Sequence, residues 1–280
     1  MKYLKLLLVS CAILFSTIDG IAQKKKEKNK DENPITSALK SFKFRSVGPA
    51  FMSGRIADIA IDETNENVWY VAVGSGGVWK TENAGTTWNP IADNMPFYST
   101  GCITIDPSNN SSIWLGTGEN VGGRHVGIGH GIYHSSDAGK SWKNMGLKNS
   151  EHISKIIVHP NNPNVIWVAA QGPLWSSGGD RGLFKSVDGG KTWENKLEIN
   201  EWTGVTDLVI NPENPNTLYL ASWQRHRNVA ALMDGGPGTA LYKSVDGGEN
   251  WKKINNGLPG SNMGKIGLAI SPMQPNVLYA

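Results

Sequence analysis

The sequence predicts an all-β fold, a β-propeller of four-stranded antiparallel blades whose ring is incomplete within this chain. Two observations predict it. An eight-residue turn motif ending in tryptophan is written four times, with its tryptophans 54, 51 and 58 residues apart. Each copy follows the same succession of short alternating strands, and no repeat carries a helical period. Parallel β-helices repeat over much shorter stretches and β-sandwiches do not repeat their sequence, so a propeller blade is the better interpretation.

The most regular copy of the motif is SVDGGKTW at residues 186–193, and the others are TENAGTTW at 81–88, SSDAGKSW at 135–142 and SVDGGENW at 244–251. The side chain at the third position can accept backbone N–H bonds from its own turn, and the glycine at the fifth can adopt a positive φ. The tryptophan then opens the next strand and packs between neighbouring sheets. We therefore expect structural roles for Asn83, Trp88, Asp137, Trp142, Asp188, Trp193, Asp246 and Trp251.

Each repeat has the same order of elements: a first strand, a turn rich in Pro and Asn, a second strand, a variable loop, a third strand, the motif and a short fourth strand. The predicted first strands are 56–61, 101–105, 153–158, 205–210 and 266–270, and the second strands are 68–73, 113–116, 165–170 and 218–222. The fifth repeat stops at residues 277–280 without its motif. We expect about four blades and part of a fifth, forming an open arc that is the N-terminal part of a longer protein.

The N-terminus predicts export. Residues 1–22 have the charged start, short apolar run and small-residue end of a signal peptide, residues 23–41 form a charged linker, and residues 42–280 form the propeller. The apolar run is too short to span a membrane. Cys11 lies inside it, which favours an ordinary signal sequence over a lipid anchor. We expect a secreted, periplasmic or cell-surface protein in which Cys102 remains as a lone thiol.

The composition and the spacing of particular residues limit the kinds of ligand and partner that we expect. The 33 glycines and 11 tryptophans are many for 280 residues, which suits tight turns closed by aromatic anchors, and the net charge of +3 gives no argument for nucleic acid. His125, His130 and His134 lack tight metal-binding spacing, and the glycines of 122–131 lack the strand–loop–helix context of a phosphate cradle. We expect no metal, no cofactor, no nucleic acid and no stable membrane insertion.

Candidate ligand contacts lie on one face of the blades. In an antiparallel blade the Pro/Asn turns and the motif turns share one face, so the loops between second and third strands share the other, called here the upper face. These loops vary in length, as binding loops on a rigid scaffold do. The ligand-binding candidates are Arg124, His125, Trp175, Arg181, Trp223, Arg225 and His226, and the weaker catalytic candidates are Glu119 and Asp180. Arginine and tryptophan suit an anionic, peptide or sugar ligand. The alternative is a polar network between blades, with Arg181 paired to Asp180.

Through its four motif copies and the tryptophan-containing second strands, the chain from Phe42 to Ala280 resembles the Asp-box, or BNR-repeat, propellers. Within them it looks most like secreted bacterial sortilin-like propellers, often labelled BNR-repeat glycosyl hydrolases. Sialidases, xyloglucanase-type glycoside hydrolases and a photosystem assembly factor share the motif. The sortilin resemblance implies a non-catalytic protein that binds peptide, protein or glycan through its upper loops.

The enzyme families with this motif fit the sequence less well. Sialidases carry Phe-Arg-Ile-Pro, of which FRSV at residues 44–47 keeps the first two positions, including Arg45. Xyloglucanase-type enzymes carry Asp-x-Gly-Gly in the first upper loop, and aligning Gly76 and Gly77 with its glycines places Gly74 at the catalytic Asp. Our main expectation is therefore a non-catalytic binding propeller. The alternative is a glycoside hydrolase that uses Glu119 or Asp180 with a partner beyond Ala280.

Overall fold

A computed structural model describes residues 54–260 and 262–280 of the chain. The predicted signal peptide, the charged linker and residues 42–53 lie outside the described residues. The described residues confirm the predicted fold class: they form four-stranded antiparallel sheets in which consecutive strands pair in order, one sheet per blade. Over these residues, no helix is long and apolar enough to cross a membrane.

The four complete blades account for sixteen strands. Blade 1 contains β1 (Ile56–Ile61), β2 (Trp69–Val73), β3 (Gly77–Thr81) and β4 (Asn89–Pro90), and blade 2 contains β5 (Thr100–Asp106), β6 (Asn109–Thr117), β7 (Ile132–Ser135) and β8 (Lys143–Gly146). Blade 3 contains β9 (Ile153–His159), β10 (Asn162–Gln171), β11 (Arg181–Ser186) and β12 (Glu194–Leu197). In blade 4, β13 (Thr203–Ile210) and β14 (Leu218–Gln224) are followed by a small hairpin, β15 (His226–Arg227) and β16 (Leu232–Met233), before β17 (Leu241–Ser244) and β18 (Lys252–Lys253) complete the sheet. The last pair is β19 (Ala269–Ser271) and β20 (Gln274–Tyr279).

Two local features differ from the sequence-based prediction. The strand predicted from residue 266 begins at Ala269. Leu268 N, just before it, donates to the Asp207 carboxylate at 2.8 Å, as Ile103 N within β5 donates to the Asp58 carboxylate at 3.1 Å. A short 3₁₀ helix at Lys148–Ser150 occupies the link between blades 2 and 3, where no helix was predicted.

The hydrophobic core lies between consecutive blades. Tyr70 of blade 1 packs with Leu115 of blade 2, and Trp114 of blade 2 packs with Val168 of blade 3. A third cluster joins blades 3 and 4 in the same way. Blades 2 and 3 therefore bury both of their faces against their neighbours, as the stacking of blades around a propeller axis requires.

The motif turns have the expected hydrogen bonds. In the third copy, Asp188 Oδ1 accepts the N–H groups of Thr192 at 3.0 Å and Lys191 at 2.9 Å, and Gly190 has a φ of 79°. Hydrogen bonds, led by the one from the Thr192 hydroxyl, lower the pKa of Asp188 to about 2. The carboxylate is thus committed to its own turn.

A hydrogen bond repeated in all four blades shows which turns lie on the same face of a blade. The residue after the motif's Asp or Asn donates its backbone N–H to the turn between the first and second strands. The four bonds are Ala84 to Asn67 O at 3.0 Å, Ala138 to Ser111 O at 2.8 Å, Gly189 to Asn164 O at 3.0 Å and Gly247 to Asn216 O at 2.9 Å. The motifs and the Pro/Asn turns therefore share one face, and the long loops share the other.

The motif tryptophans of blades 2 and 3 connect neighbouring blades. The indole Nε1 of Trp142 donates to Ile91 O in blade 1 at 3.0 Å, and that of Trp193 donates to Met145 O in blade 2 at 2.7 Å. The Trp193 ring also meets the Trp114 ring edge-on, with centroids 6.5 Å apart. Each ring thus contributes apolar contact and a directed bond at one blade interface.

Candidate functional site

The upper face is held together by a buried arginine that connects three blades. Arg225 follows β14 directly and is fully buried. Its Nη1 donates to Val121 O in the blade 2 loop at 2.7 Å, and its Nη2 donates to Gly172 O in the blade 3 loop at 3.2 Å. Burial first, and the charge of Arg181 second, lower its pKa to about 9. Arg225 therefore belongs to the polar network between blades.

Arg181 fixes the shape of its own loop. It is buried at the start of β11 and donates to the carbonyls of Gln171 at 2.8 Å and Pro173 at 2.6 Å. Burial lowers its pKa to about 10. The alternative in which Arg181 pairs with Asp180 does not fit the structure, because the Asp180 carboxylate accepts the Asn149 N–H at 3.0 Å. Successive side chains of an extended segment point to opposite sides, which separates these two neighbours.

The loops of blades 2 and 4 also clasp each other directly. Arg124 Nη2 donates to Val229 O at 2.6 Å, and Arg227 Nε donates to Gly122 O at 3.2 Å. The ring of Trp223 is buried beneath them, 5.2 Å from the Arg225 guanidinium carbon. These bonds bring the loop candidates of two blades into one surface.

Trp175 is the exposed aromatic side chain of this surface. Its side chain is 42% exposed, and the Arg227 guanidinium carbon lies 6.0 Å from its ring centroid. His125 is exposed in the facing loop, whereas the His226 ring packs against the Trp202 ring, with centroids 3.9 Å apart and planes tilted by 36°. Sequence reasoning missed Arg227, although its place two residues after Arg225 was a usable signal. An exposed indole beside a cation is suited to holding a sugar ring.

Glu119 occupies the inner end of the blade 2 loop. It is 3% exposed, its Oε1 accepts a hydrogen bond from Arg55, and its Oε2 accepts the Gly127 N–H at 3.2 Å. The carboxylate lies against Gly74 of the first upper loop: a Cβ added there would lie 2.9 Å from Glu119 Cδ and would overlap Oε1. The side chain therefore fills the space that a residue larger than glycine would need at position 74.

Two titratable side chains lie near these arginines. His152 is buried, and neither ring nitrogen has a partner among the described residues. Burial first, then the charge of Arg225, lower its pKa to about 3, so the ring is neutral. Burial raises the pKa of the neighbouring Glu151, and the two buried arginines oppose that rise. No group of three or more metal-ligating side chains occurs over the described part of the chain.

Fold and motif together define an Asp-box β-propeller with an upper face built from variable loops. Solved structures with this fold include a GH74 xyloglucanase from Xanthomonas campestris, at a TM-score of 0.57 and 18% identity over 79% of this chain and 34% of that chain. An ancestral GH74 enzyme gives a TM-score of 0.60 at 16% identity, over 79% of this chain and 28% of that chain. At these identities the likeness establishes the fold alone.

Sequence comparison leads to related proteins. A probable oligoxyloglucan-reducing end-specific xyloglucanase from Neosartorya fischeri is 24% identical over 78% of this chain and 26% of its own length. A xyloglucanase from Acetivibrio thermocellus is 22% identical over 74% of this chain and 26% of its own length. The chain thus spans about a quarter of the length of these relatives. The family profile described as sortilin, neurotensin receptor 3, matches residues 130–266. The chain is a β-propeller similar to both sortilin-type propellers and glycoside hydrolases.

Proposed function

We propose that this propeller is part of a glycoside hydrolase that acts on a polysaccharide, with the glycan on the upper face and Glu119 as one catalytic carboxylate. The observation that carries the proposal is the contact between Glu119 and Gly74. Alignment with the xyloglucanase-type motif places the missing Asp at Gly74, and a carboxylate from the next blade fills the space beside it. The similarity to xyloglucanases supports this alternative over the non-catalytic protein that the sequence first favoured.

The environment of Glu119 suits one of the two carboxylate roles in glycoside hydrolysis. One carboxyl group must protonate the leaving oxygen, and the other must activate water or attack the sugar. Glu119 accepts hydrogen bonds from the Arg55 guanidinium and the Gly127 N–H. Such an acceptor-only carboxylate matches the base or nucleophile. In the proposal, the proton donor comes from outside the described residues.

The exposed part of the upper face provides a place for the glycan. The Trp175 indole offers an apolar surface for a pyranose ring, and Arg227 beside it offers donors for hydroxyl groups. Arg227 also bonds to the loop that carries Glu119. A β-linked glucan such as xyloglucan, the substrate named for the relatives, is the substrate class we propose. The export signal expected in residues 1–22 agrees with a polymer outside the cytoplasm.

A second candidate function is glycan or peptide binding without cleavage. One observation favours it: Glu119 is 3% exposed, with both oxygens engaged by Arg55 and Gly127. A carboxylate that stayed in this arrangement would serve the fold instead of the reaction. The two candidates share the binding face and differ only in turnover.

Release of reducing ends from xyloglucan by the full-length protein tests the proposal. We expect turnover in the wild type and a loss of about 10²–10⁴-fold in Glu119→Gln. Asp180→Asn is the matched control, since its carboxylate bonds to Asn149 N–H elsewhere on the face, and it should keep near wild-type rates. Equal rates for Glu119→Gln and wild type would exclude Glu119. Xyloglucan binding that Trp175→Ala weakens, without cleavage, would favour the second candidate.

A further inference from the structure

The three residues that follow Glu119 each have their carbonyl group held by a cationic side chain from a later part of the chain. The three bonds are Lys265 Nζ to Asn120 O at 2.6 Å, Arg225 Nη1 to Val121 O at 2.7 Å and Arg227 Nε to Gly122 O at 3.2 Å. The two arginines belong to blade 4, whereas Lys265 lies before β19. Hydrogen bonds from charged donors are stronger than neutral ones. The backbone after Glu119 is therefore held from outside its own blade.

Lys265 makes the one of these three bonds that lies nearest to Glu119. On the N-terminal side, the Glu119 N–H is held within blade 2, by Gly127 O at 3.1 Å and by Ser99 Oγ at 3.1 Å. On the C-terminal side, the carbonyl of the next residue, Asn120, accepts the bond from Lys265. Glu119 thus lies between a contact inside blade 2 and a contact with the segment that follows blade 4.

Contacts with blade 4 determine where the Lys265 side chain lies. The segment before β19 forms a bridge to the blade 4 loop, in which Gly236 N donates to Met263 O at 3.3 Å. The Lys265 ammonium lies 5.6 Å from the centroid of the Trp223 ring, within the range of a cation–π contact. Both the backbone near Lys265 and the end of its side chain are therefore placed by blade 4.

We propose that Lys265 is a positioning residue for Glu119. The inference rests on the proposed function, since it assigns a supporting side chain to the proposed catalytic carboxylate. Lys265 does not touch the reacting atoms. Its ammonium holds the backbone beside Glu119 and so determines where the carboxylate lies relative to the glycan. A misplacement of about 1 Å can slow an enzymatic reaction by about 10²-fold. The reaction therefore depends on the segment after blade 4 as well as on blades 1 and 2.

Kinetics of the full-length protein with xyloglucan test this role. Lys265→Met keeps most of the side-chain length and removes the ammonium. We expect kcat for the release of reducing ends to fall about 10–100-fold while KM stays within about twofold, because the stacking surface of Trp175 is unchanged. Lys265→Arg, which keeps a charged donor, should recover most of kcat. Lys253→Met, at an exposed position of β18, is the control and should match the wild type.

Hydrogen–deuterium exchange of the same variants gives a second measurement that does not require turnover. We expect the amides of residues 119–122 to exchange at least about fivefold faster in Lys265→Met than in the wild type, because the carbonyl beside them loses its donor. The amides of the central strand β10 should keep their protection. Lys265→Arg and Lys253→Met should both exchange like the wild type.

Three results would overturn the role of Lys265 and leave the proposed hydrolase standing. One is a wild-type kcat in Lys265→Met. Another is a raised KM at wild-type kcat, which would assign Lys265 to glycan binding. The third is faster exchange in β10 as well as in residues 119–122, which would show a general loss of structure.

The absence of reducing-end release by the wild type would instead refute the proposed hydrolase. Exchange then decides the role of Lys265 alone. Faster exchange confined to residues 119–122 in Lys265→Met would support the hold on Glu119, and unchanged exchange there would overturn it.

Discussion

The carboxylate of Glu119 in blade 2 lies against the backbone of Gly74 in blade 1. Arg55, just before β1, holds the same carboxylate. Three residues from two blades thus meet on the upper face. The residue type at each position therefore restricts the types that the other two positions can accept. Gly74 has room for no side chain while Glu119 is present, which ties the identity of position 74 to that of position 119.

This contact predicts a compensating pair of substitutions. Gly74→Asp should destabilise the protein by about 1–3 kcal/mol, because its Cβ would overlap Glu119 Oε1. Adding Glu119→Ala should recover most of that loss, since it vacates the space and leaves Arg55 to pair with the new Asp. Urea unfolding measures both variants. Gly260→Asp, at a glycine with open space around it, is the control. Additive losses in the double variant would refute the coupling.

The motif turns predict a stabilising substitution. Ala84 and Ala138 have φ values of 52° and 58°, whereas the third and fourth copies place Gly189 and Gly247 at this position. The left-handed conformation costs a non-glycine residue roughly 1–2 kcal/mol. We expect Ala138→Gly to raise the free energy of unfolding by about 0.5–1 kcal/mol after the greater freedom of the unfolded glycine is counted. Gly189→Ala should have the opposite sign. Equal signs in thermal unfolding would contradict the explanation.

The buried contacts of Arg225 predict that its replacement costs much more stability than the replacement of Arg124 on the same face. Arg225→Met leaves the buried carbonyls of Val121 and Gly172 without their donor, so we expect a loss of about 2–4 kcal/mol. Arg124→Met removes an exposed hydrogen bond and should cost about 0.5 kcal/mol or less. Urea unfolding measures the losses, and limited proteolysis within residues 118–131 reports whether the loop opens. Similar losses of stability for both variants would show that the buried bonds of Arg225 do not hold the three loops together.

The lowered pKa of His152 predicts that the stability of the protein depends on pH. Its pKa is about 3 in the fold and about 6.5 in the unfolded chain, so the unfolded state binds the extra proton between these values. Stability should therefore fall as the pH falls from about 6.5 towards 3, by up to about 1.4 kcal/mol per pH unit. His152→Phe should remove this contribution, making its stability relative to wild type rise between pH 7 and pH 5. A constant difference would show that the ring is not held neutral. His130→Phe, at an exposed position, is the control.

The sequence predicts this fold well because the information is local and repeated. Asp188 bonds to residues three and four positions away, so the motif specifies its own turn in every blade. Strand ends were less predictable: β19 begins at Ala269, whereas the repeat pattern predicts a start at residue 266. Where a strand ends depends on its pairing with other segments, which a local pattern does not contain.

The site was only partly predictable for the same reason. Glu119 and Trp175 stood out because acidic and aromatic residues in a variable loop are conspicuous. Arg55 did not, since it lies 64 residues from Glu119 and no spacing rule connects them. The burial of Arg181 and Arg225 depends on how three loops fold over one another, which residue type alone does not determine.

A crystal structure of the full-length Glu119→Gln variant with a xyloglucan oligosaccharide tests the central claim most directly. We expect a sugar ring stacked on Trp175 and a glycosidic bond at residue 119, with water or the anomeric carbon within reach of its side chain. An oligosaccharide bound on the Asp-box face, or one that occupies the upper face without approaching residue 119, would contradict the account.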